Sequence, residues 1–468
     1  MSPRRSAITA RWTLLPSATG GVRAAEDVTV LVEGNLVREV VAGRVVPEGC
    51  AHLDLPDALL LPGFVNLHNH AINGPVFRGI VDDVGAAGTV SADNIVYSLL
   101  LPLGDLAGTV LAPEQLAAVY RLAVLELLRS GTTSVLDMPR AQHRWLLDAA
   151  VELGLRVFAA PYVFSTPARG VGADGRPAYE TGDEDASLAA VLELAEAYDQ
   201  GRDGSVRVGF GPHATDTCSP ALLRRIAALV EERDSFASIH VAQSRHEVEV
   251  VRERHGCRPV EYLDRAGLLG PRLVLAHGVY LEDAELDLVR EAGATVAHCP
   301  LTFARSGVTV AFDRFHRAGV RTGIGTDAYS FDHFGELRAA GFVSKLTSGD
   351  GGRADAATLL TAATATGGAA LDPRLGRIAP GCLADLVAVD LSGPHVQPVR
   401  DPLRNLVWNA RPSDVDVVLV DGRLVVERGR CVAVDEDHVV AEAADAVAVL
   451  WRAAEAAGIL PPIERTAG

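Results

Sequence analysis

The 468-residue chain is predicted to be an α/β protein: a (β/α)8 barrel of the TIM type with a small β-sandwich built from both chain ends. Three observations predict this. Short apolar strands alternate with helical patterns through the middle of the chain, and eight such units suit a barrel. β-rich segments flank that stretch on both sides. The chemically interesting polar residues fall where successive strands end, the rim on which barrel enzymes do their chemistry.

The elements follow in order. Residues 1–60 read as β-strands, Asp27–Val32 and Asn35–Val41, with a turn at Gly34. Residues 61–375 are the barrel and 376–468 return to the sandwich and a closing helix. Asp421-Gly422 between two β-branched runs is a hairpin signal. The first barrel strand runs through Leu60-Leu61-Pro62-Gly63-Phe64-Val65-Asn66-Leu67-His68-Asn69-His70. The other seven are placed at 131–137, 155–160, 206–210, 235–240, 272–277, 294–298 and 320–327. Helices are expected at 113–130, 144–153, 219–232, 245–254, 282–292, 310–318 and 437–457, the last on the outside. A doubly wound open sheet is the alternative, but no Gly-rich phosphate loop follows an early strand.

Composition narrows the partners. Formal net charge is −17 with 48% apolar residues, which argues against nucleic acid and anionic membranes and for a sizeable core. Six scattered cysteines without a CxxC pair read as reduced thiols. The start, Met1-Ser2-Pro3-Arg4-Arg5, is basic, but Arg11 interrupts the apolar run after it, and no run is long enough to span a membrane. A soluble cytoplasmic protein acting on a small molecule is expected.

The constellation carries the function. His68 and His70 close strand 1, and residues two apart in a strand share a face. His213 follows strand 4, and His240, His277 and His298 end strands 5, 6 and 7. Asp327 ends strand 8. One histidine at a strand end is more often structural than functional. Five strand ends plus a carboxylate indicate a shared site. Imidazoles and one carboxylate suit Zn²⁺ or Fe²⁺ with an open position for water, whose pKa the metal lowers toward neutrality to give hydroxide. Asp327 can take the water proton and pass it to a leaving group, and His277 can hold the water or the developing oxyanion.

These motifs resemble the amidohydrolase superfamily, in the branch of methylthioadenosine/S-adenosylhomocysteine deaminases, guanine deaminases and s-triazine hydrolases. The resemblance rests on Pro62-Gly63-Phe64-Val65-Asn66-x-His68-x-His70, Gly131-Thr132-Thr133, Gly211-Pro212-His213-Ala214, Ile239-His240-Val241-Ala242, Leu275-Ala276-His277, Val296-Ala297-His298-Cys299-Pro300, Gly325-Thr326-Asp327 and Ala379-Pro380-Gly381-Cys382-Leu383-Ala384-Asp385-Leu386. It implies one divalent metal, zinc first and iron second, held by His68, His70, His240 and Asp327, with His277 on the water or as a fifth ligand. It also implies that His213 reaches the substrate, and that the protein is a homodimer. Binuclear relatives bridge their metals with a carboxylated lysine after a mid-barrel strand. The only lysine here, Lys345, lies beyond strand 8, so a mononuclear site is expected.

The pattern breaks at Gln243. In deaminating relatives a glutamate follows His-x-Ala and protonates a ring nitrogen; Gln243 carries no proton at ordinary pH. It either positions the substrate while another acid serves, or the chemistry needs no such acid. Arg305 is expected to bind an anionic or carbonyl-bearing substrate or else to form a surface ion pair, and His298 is a further candidate substrate contact. Asp216 stands where relatives tend to carry an aromatic residue. The expected activity is hydrolysis of a non-peptide C–N bond in a small nitrogen-rich ring, deamination or related. Hydrolytic dechlorination or opening of a cyclic amide or imine is the alternative. A non-catalytic metal-binding barrel is the alternative of another class.

Overall fold

The computed structural model describes residues 5–18, 20–80, 94–140, 143–172, 176–201 and 204–461. The basic start Met1–Arg4 lies outside them. Eight parallel strand positions form the barrel: Phe64–Asn69, Thr132–Asp137, Arg156–Ala159, Val206–Val208 continued by Gly211–Pro212, Ala237–Val241, Leu273–His277, Thr295–His298 and Arg321–Ile324. The ladders make two arcs of four strands. Parallel bridges join the arcs at Phe210–Ala237 and Ala214–His240 on one side and at Asn69–Asp327 on the other. The sheet therefore closes, which rules out the open doubly wound alternative.

The expected first strand is two strands. Ala51–Pro62 belongs to the terminal sheet and Phe64–Asn69 to the barrel. The break is at Gly63, where an added Cβ would stand 2.0 Å from Thr133 Oγ1. Pro62-Gly63 and Gly131-Thr132-Thr133 thus meet in space, and only a residue without a side chain lets strand 2 approach so closely.

Both chain ends meet in one continuous sheet of eight strands. Its order is Arg430–Cys431, Arg423–Glu427, Val415–Val420, Leu386–Asp390, Ala51–Pro62, Arg5–Pro16, Val22–Glu33, Leu36–Ala42. Strand Ala51–Pro62 shows the two-residue period of its layers. Ala58 and Leu60 join Ile8, Val30, Leu386 and Val417 in the sandwich core. Leu59 and Leu61 pack instead with the main core that includes the barrel residues Phe64 and Val135. The hairpin at Asp421-Gly422 forms as expected, with φ of +54° and +69°, the left-handed values a two-residue turn of this kind needs. Strand Arg5–Pro16, between Val22–Glu33 and Ala51–Pro62, was not anticipated. Its Arg11 is exposed and simply breaks the apolar pattern on the outer face.

Helices Pro113–Arg129, His143–Leu153, Pro220–Glu232, Arg245–His255, Asp283–Ala292 and Phe312–Arg317 lie where the periodicity placed them. The closing helix Glu436–Ala456 starts on Asp435, whose carboxylate accepts from the amides of Asp437 and His438. It packs outside helix Pro113–Arg129, with Arg129 Nη1 2.7 Å from Glu436 Oε2. A helix not read from the sequence, Leu101–Val110 with a π-turn at Val96–Leu100 before it, roofs the rim. Ile95, Leu99 and Leu103 share a core with Val447 and Leu450 of the closing helix.

Candidate metal centre

The rim gathers the expected histidines into one buried site. Among the described residues, two overlapping trios have ligand atoms all within 4.8 Å of one another: His68, His70 and His240, and His68, His277 and Asp327. Asp327 Oδ1 lies 3.6 Å from His68 Nε2 and 3.5 Å from His70 Nε2. The Nε2 atoms of His70 and His240 are 3.4 Å apart. The ring of His277 stands edge-on to that of His68, centroids 4.7 Å apart.

Local structure makes this approach possible. Gly325, one residue beyond the last strand, has no room for a Cβ, which would meet His68 backbone atoms at 2.9 Å. Thr326 and Asp327 both donate their amide N–H to His68 O, so strands 1 and 8 carry their ligands side by side. Ala242, His277 and Asp327 adopt φ of +47°, +78° and +56°, a region that costs a side-chain-bearing residue about 1–3 kcal/mol. The surrounding ladder holds that strain where the strands hand over to the rim loops.

The hydrogen bonds decide which ring nitrogen faces inward. His70 Nδ1 is 3.0 Å from Met138 O, and His240 Nδ1 is 2.5 Å from His213 O. Carbonyls only accept, so both protons sit on Nδ1 and both Nε2 lone pairs point to the centre. His213 follows the same logic. The Thr217 hydroxyl donates to Ala214 O, so it accepts from His213 Nδ1, 3.0 Å away, and Nε2 is left bare. Burial and the neighbouring His68 pull the pKa of His70 down to about 4. Burial pulls His277 down to about 3 and holds His240 and His213 well below the ordinary imidazole value. Burial works against the charge of Asp327, but the facing His68, His277 and His70 outweigh it and keep the carboxyl below its usual range.

A divalent cation fits these donors. Both nitrogens of His68 and Nδ1 of His277 are buried without a hydrogen-bond partner, an arrangement that costs free energy unless something is bound. Neutral imidazoles around one ionised carboxylate are the donor set of a zinc or iron(II) site.

The cavity above the ligands is mostly apolar. Ile95, Val96, Leu100, Leu101 and Leu116 form the roof side, and Met138, Phe303 and Tyr329 other parts of the wall. His213, Gln243 and Asp137 also line it. Gln243 Nε2 is buried without a partner, while its backbone N–H is held by Glu247 Oε2 at 2.8 Å.

Two expected contacts are not brought there. His298 shares its strand face with Val296, and that face packs outward. Its ring lies 6.1 and 5.9 Å from the rings of Phe312 and Phe315, fully buried, and it does not line the cavity. Arg305 is exposed, with its guanidinium 5.6 Å from the ring centre of Tyr329; Tyr329, rather than Arg305, is in the cavity wall. The sequence reading passed over Tyr162 and Asp137. Tyr162 packs its ring edge-on to His213 at 4.8 Å and places its hydroxyl 3.5 Å from His70 Nδ1. Both residues follow or end an apolar strand, so the strand-end rule that found the histidines would have found them too. Asp216, unexpected in sequence, accepts hydrogen bonds from the hydroxyls of Tyr97 (2.7 Å) and Tyr179 (2.6 Å). It ties the roof to the loop after strand 4.

The amidohydrolase family model matches residues 59–425. The chain belongs to the amidohydrolase family. It is 34% identical over 403 residues to a 5-methylthioadenosine/S-adenosylhomocysteine deaminase of Haloarcula marismortui, covering 85% of this chain and 88% of that one. It is 33% identical over 439 residues to a 5'-deoxyadenosine deaminase of Methanothermobacter thermautotrophicus, covering 92% and 95%. An adenosine deaminase structure from Xanthomonas campestris with bound zinc superposes with a TM-score of 0.84 at 28% identity over 96% of this chain and 99% of that one. An atrazine chlorohydrolase from Arthrobacter aurescens shares the fold, with a TM-score of 0.84 at 22% identity over 94% and 99%. This amidohydrolase is therefore a hydrolase of the amidohydrolase type, with a histidine and aspartate cluster able to hold a metal ion. No helix among its described residues is long and apolar enough to cross a membrane.

Proposed function

We propose that this amidohydrolase binds a single zinc ion through His68, His70, His240 and Asp327 and hydrolyses a C–N bond in a small nitrogen-rich ring. The observation that carries the reading is that two ligand trios, His68 with His70 and His240 and His68 with His277 and Asp327, share His68, whose ring nitrogens have no hydrogen-bond partner. When bound, a divalent metal there supplies Lewis acidity and lowers the pKa of a coordinated water.

The residues divide the remaining work. Asp327, held ionised, takes the proton of the attacking water and delivers it to the departing nitrogen. His277, kept neutral by burial, orients the water or the developing oxyanion. His213 offers bare Nε2 as an acceptor to a substrate N–H. Gln243 offers its free amide N–H to a ring nitrogen or carbonyl. It donates a hydrogen bond but no proton. The apolar walls exclude water and sandwich the ring.

A second reading has its own observation. With Gln243 facing the cavity where a proton donor would serve deamination of a neutral purine, substrates that need no ring protonation fit as well: an already activated cyclic imine or amidinium, a cyclic amide, or a ring that loses halide. We place the enzyme in the cytoplasm, which the free state of all six cysteines supports, and the net charge of −17 supports a partner set without nucleic acid. The homodimer rests on resemblance and is read by light scattering.

The test is a panel of adenosine-type nucleosides, guanine, pterins, triazines and cyclic ureides on zinc-loaded protein, scored for ammonia, ring-opened product and halide. Turnover of any of these, lost on chelation, supports the hydrolase. Stoichiometric zinc with no turnover across the panel favours the binding-protein alternative. Efficient deamination of adenosine or guanine derivatives by the native enzyme overturns the reading of Gln243; gain of that activity by Gln243→Glu supports it.

A further inference from the structure

Behind the ligands runs a chain of buried polar groups that the proposed reaction does not use. Asn66, Asn69, Thr326 and Asp137 are all fully buried or within 1% of it. Each of the first three sits one or two residues from a ligand: Asn66 before His68, Asn69 between His68 and His70, Thr326 before Asp327. Their hydrogen bonds have only one consistent direction.

Asn66 Oδ1 accepts the backbone N–H of Thr326 at 3.1 Å and of His68 at 3.3 Å. Its Nδ2 is therefore the donor to Thr326 Oγ1, at 2.7 Å. The Thr326 hydroxyl, having accepted, donates its proton to Asn69 Oδ1 at 2.9 Å. Asn69 Nδ2 must then donate, and it does so to Asp137 Oδ2 at 2.7 Å. The same oxygen accepts the amide of Ala71, the residue after His70, at 2.7 Å. A group taking two donors at one atom has to be an acceptor there, and a carboxyl oxygen satisfies this where an amide N–H cannot.

We propose that Asp137 is a positioning residue for the metal ligands, the terminal acceptor of a one-way hydrogen-bond relay running from strand 1 through strand 8 back to strand 1 and out to strand 2. The inference rests on the metal-site reading above. The relay fixes the backbone on either side of His68, His70 and Asp327, so their ligand atoms converge before any cation arrives. Loss of groups that orient first-row metal ligands typically costs 10–100-fold in affinity.

The test uses the full-length chain stripped of metal, with zinc alone as the probe, titrated in competition with a chromophoric chelator. Wild type is expected to bind about one zinc per chain. Asp137→Ala and Thr326→Val are expected to bind 10–100-fold more weakly, while near-UV circular dichroism of the metal-free proteins stays native. Asp137→Asn is expected to stay within about threefold of wild type, because its amide oxygen can take both donors. Thr326→Val is nearly isosteric and carries the test should Asp137→Ala not fold. Wild-type zinc binding with unchanged affinity in Thr326→Val overturns the inference and leaves the metal site standing, as does a drop in metal-free thermal stability with no change in zinc affinity. A wild type that takes up no zinc overturns both.

Discussion

His70 and His240 face each other with their Nε2 atoms 3.4 Å apart and their protons drawn to the far side by Met138 O and His213 O. Two lone pairs directed at one another repel, and a cation between them relieves it. Zinc should therefore raise the thermal midpoint of the metal-free protein, by the equivalent of about 2.7 kcal/mol at a hundredfold excess over Kd. His240→Ala should abolish most of that shift. Differential scanning fluorimetry with and without zinc reads both.

His333 stacks on Phe64, centroids 4.7 Å apart and planes within 7°. Both its nitrogens are buried without partners, and burial draws its pKa down to about 3. The unfolded chain takes up a proton near pH 6.5, which the folded chain refuses until about pH 3. Its contribution to stability is thus complete above pH 6.5 and is lost progressively as pH falls toward 3. The slope from this group approaches about 1.4 kcal/mol per pH unit. His333→Phe should flatten the decline between pH 7 and pH 5, measured by urea unfolding.

Arg156 on strand 3 makes a two-pronged pair with Asp385, Nε to Oδ2 at 2.8 Å and Nη2 to Oδ1 at 3.1 Å, and both are almost wholly buried. This pair ties the barrel to the terminal sheet and gives the Ala384-Asp385-Leu386 motif its physical reason. Asp385→Ala leaves the buried guanidinium with Asp421 Oδ1, 3.0 Å from Nη2, as its remaining carboxylate and should cost up to about 3–5 kcal/mol. Arg156→Met with Asp385→Leu should cost less than the two single changes summed. Chemical denaturation of the three variants decides it.

Tyr97 and Tyr179 both donate to Asp216 Oδ2, and Arg254 Nη1 donates to Asp216 O at 2.7 Å. Tyr97→Phe removes one donor from a buried carboxyl and should lower stability by about 1–3 kcal/mol. Because Tyr97 also lines the cavity, KM for any substrate found in the panel should move more than kcat. A thermal scan and steady-state kinetics check the two halves separately.

Much of this was legible before any coordinates. The strand ends were legible because parallel barrel strands are buried on both faces, so a polar residue that ends one stands out against the apolar run. His68, His70, His213, His240, His277 and Asp327 were all found in that way. The same rule overreached at His298, because it says where a strand ends and not which way its last side chain turns. Arg305 stays outside the cavity wall for a different reason. A loop residue's position on the rim is set by neighbours such as Tyr329, which lie far away in sequence. The roof was missed because Ile95-Val96-Tyr97-Ser98-Leu99-Leu100-Leu101 is apolar nearly all round and shows no helical stripe. It is buried on several sides, by the cavity and by the closing helix.

The sequence by itself determined the class of chemistry. The alternation of short apolar runs with helical periods pointed to a barrel, His68, His70, His240 and Asp327 pointed to a metal site, and Gln243 marked the one break in the motif after His240. These are local facts, carried by periodicity and residue type. What only the tertiary structure decided is direction. Carbonyls of Met138 and His213 set which nitrogen of His70 and His240 faces the centre. Gly63 and Gly325 are small because strands 2 and 1 press against them. Asn66, Thr326, Asn69 and Asp137 become a single relay only when strands 1, 2 and 8 are adjacent. Hydrogen bonds are made between atoms close in space, and closure of the barrel brings together residues more than 250 positions apart.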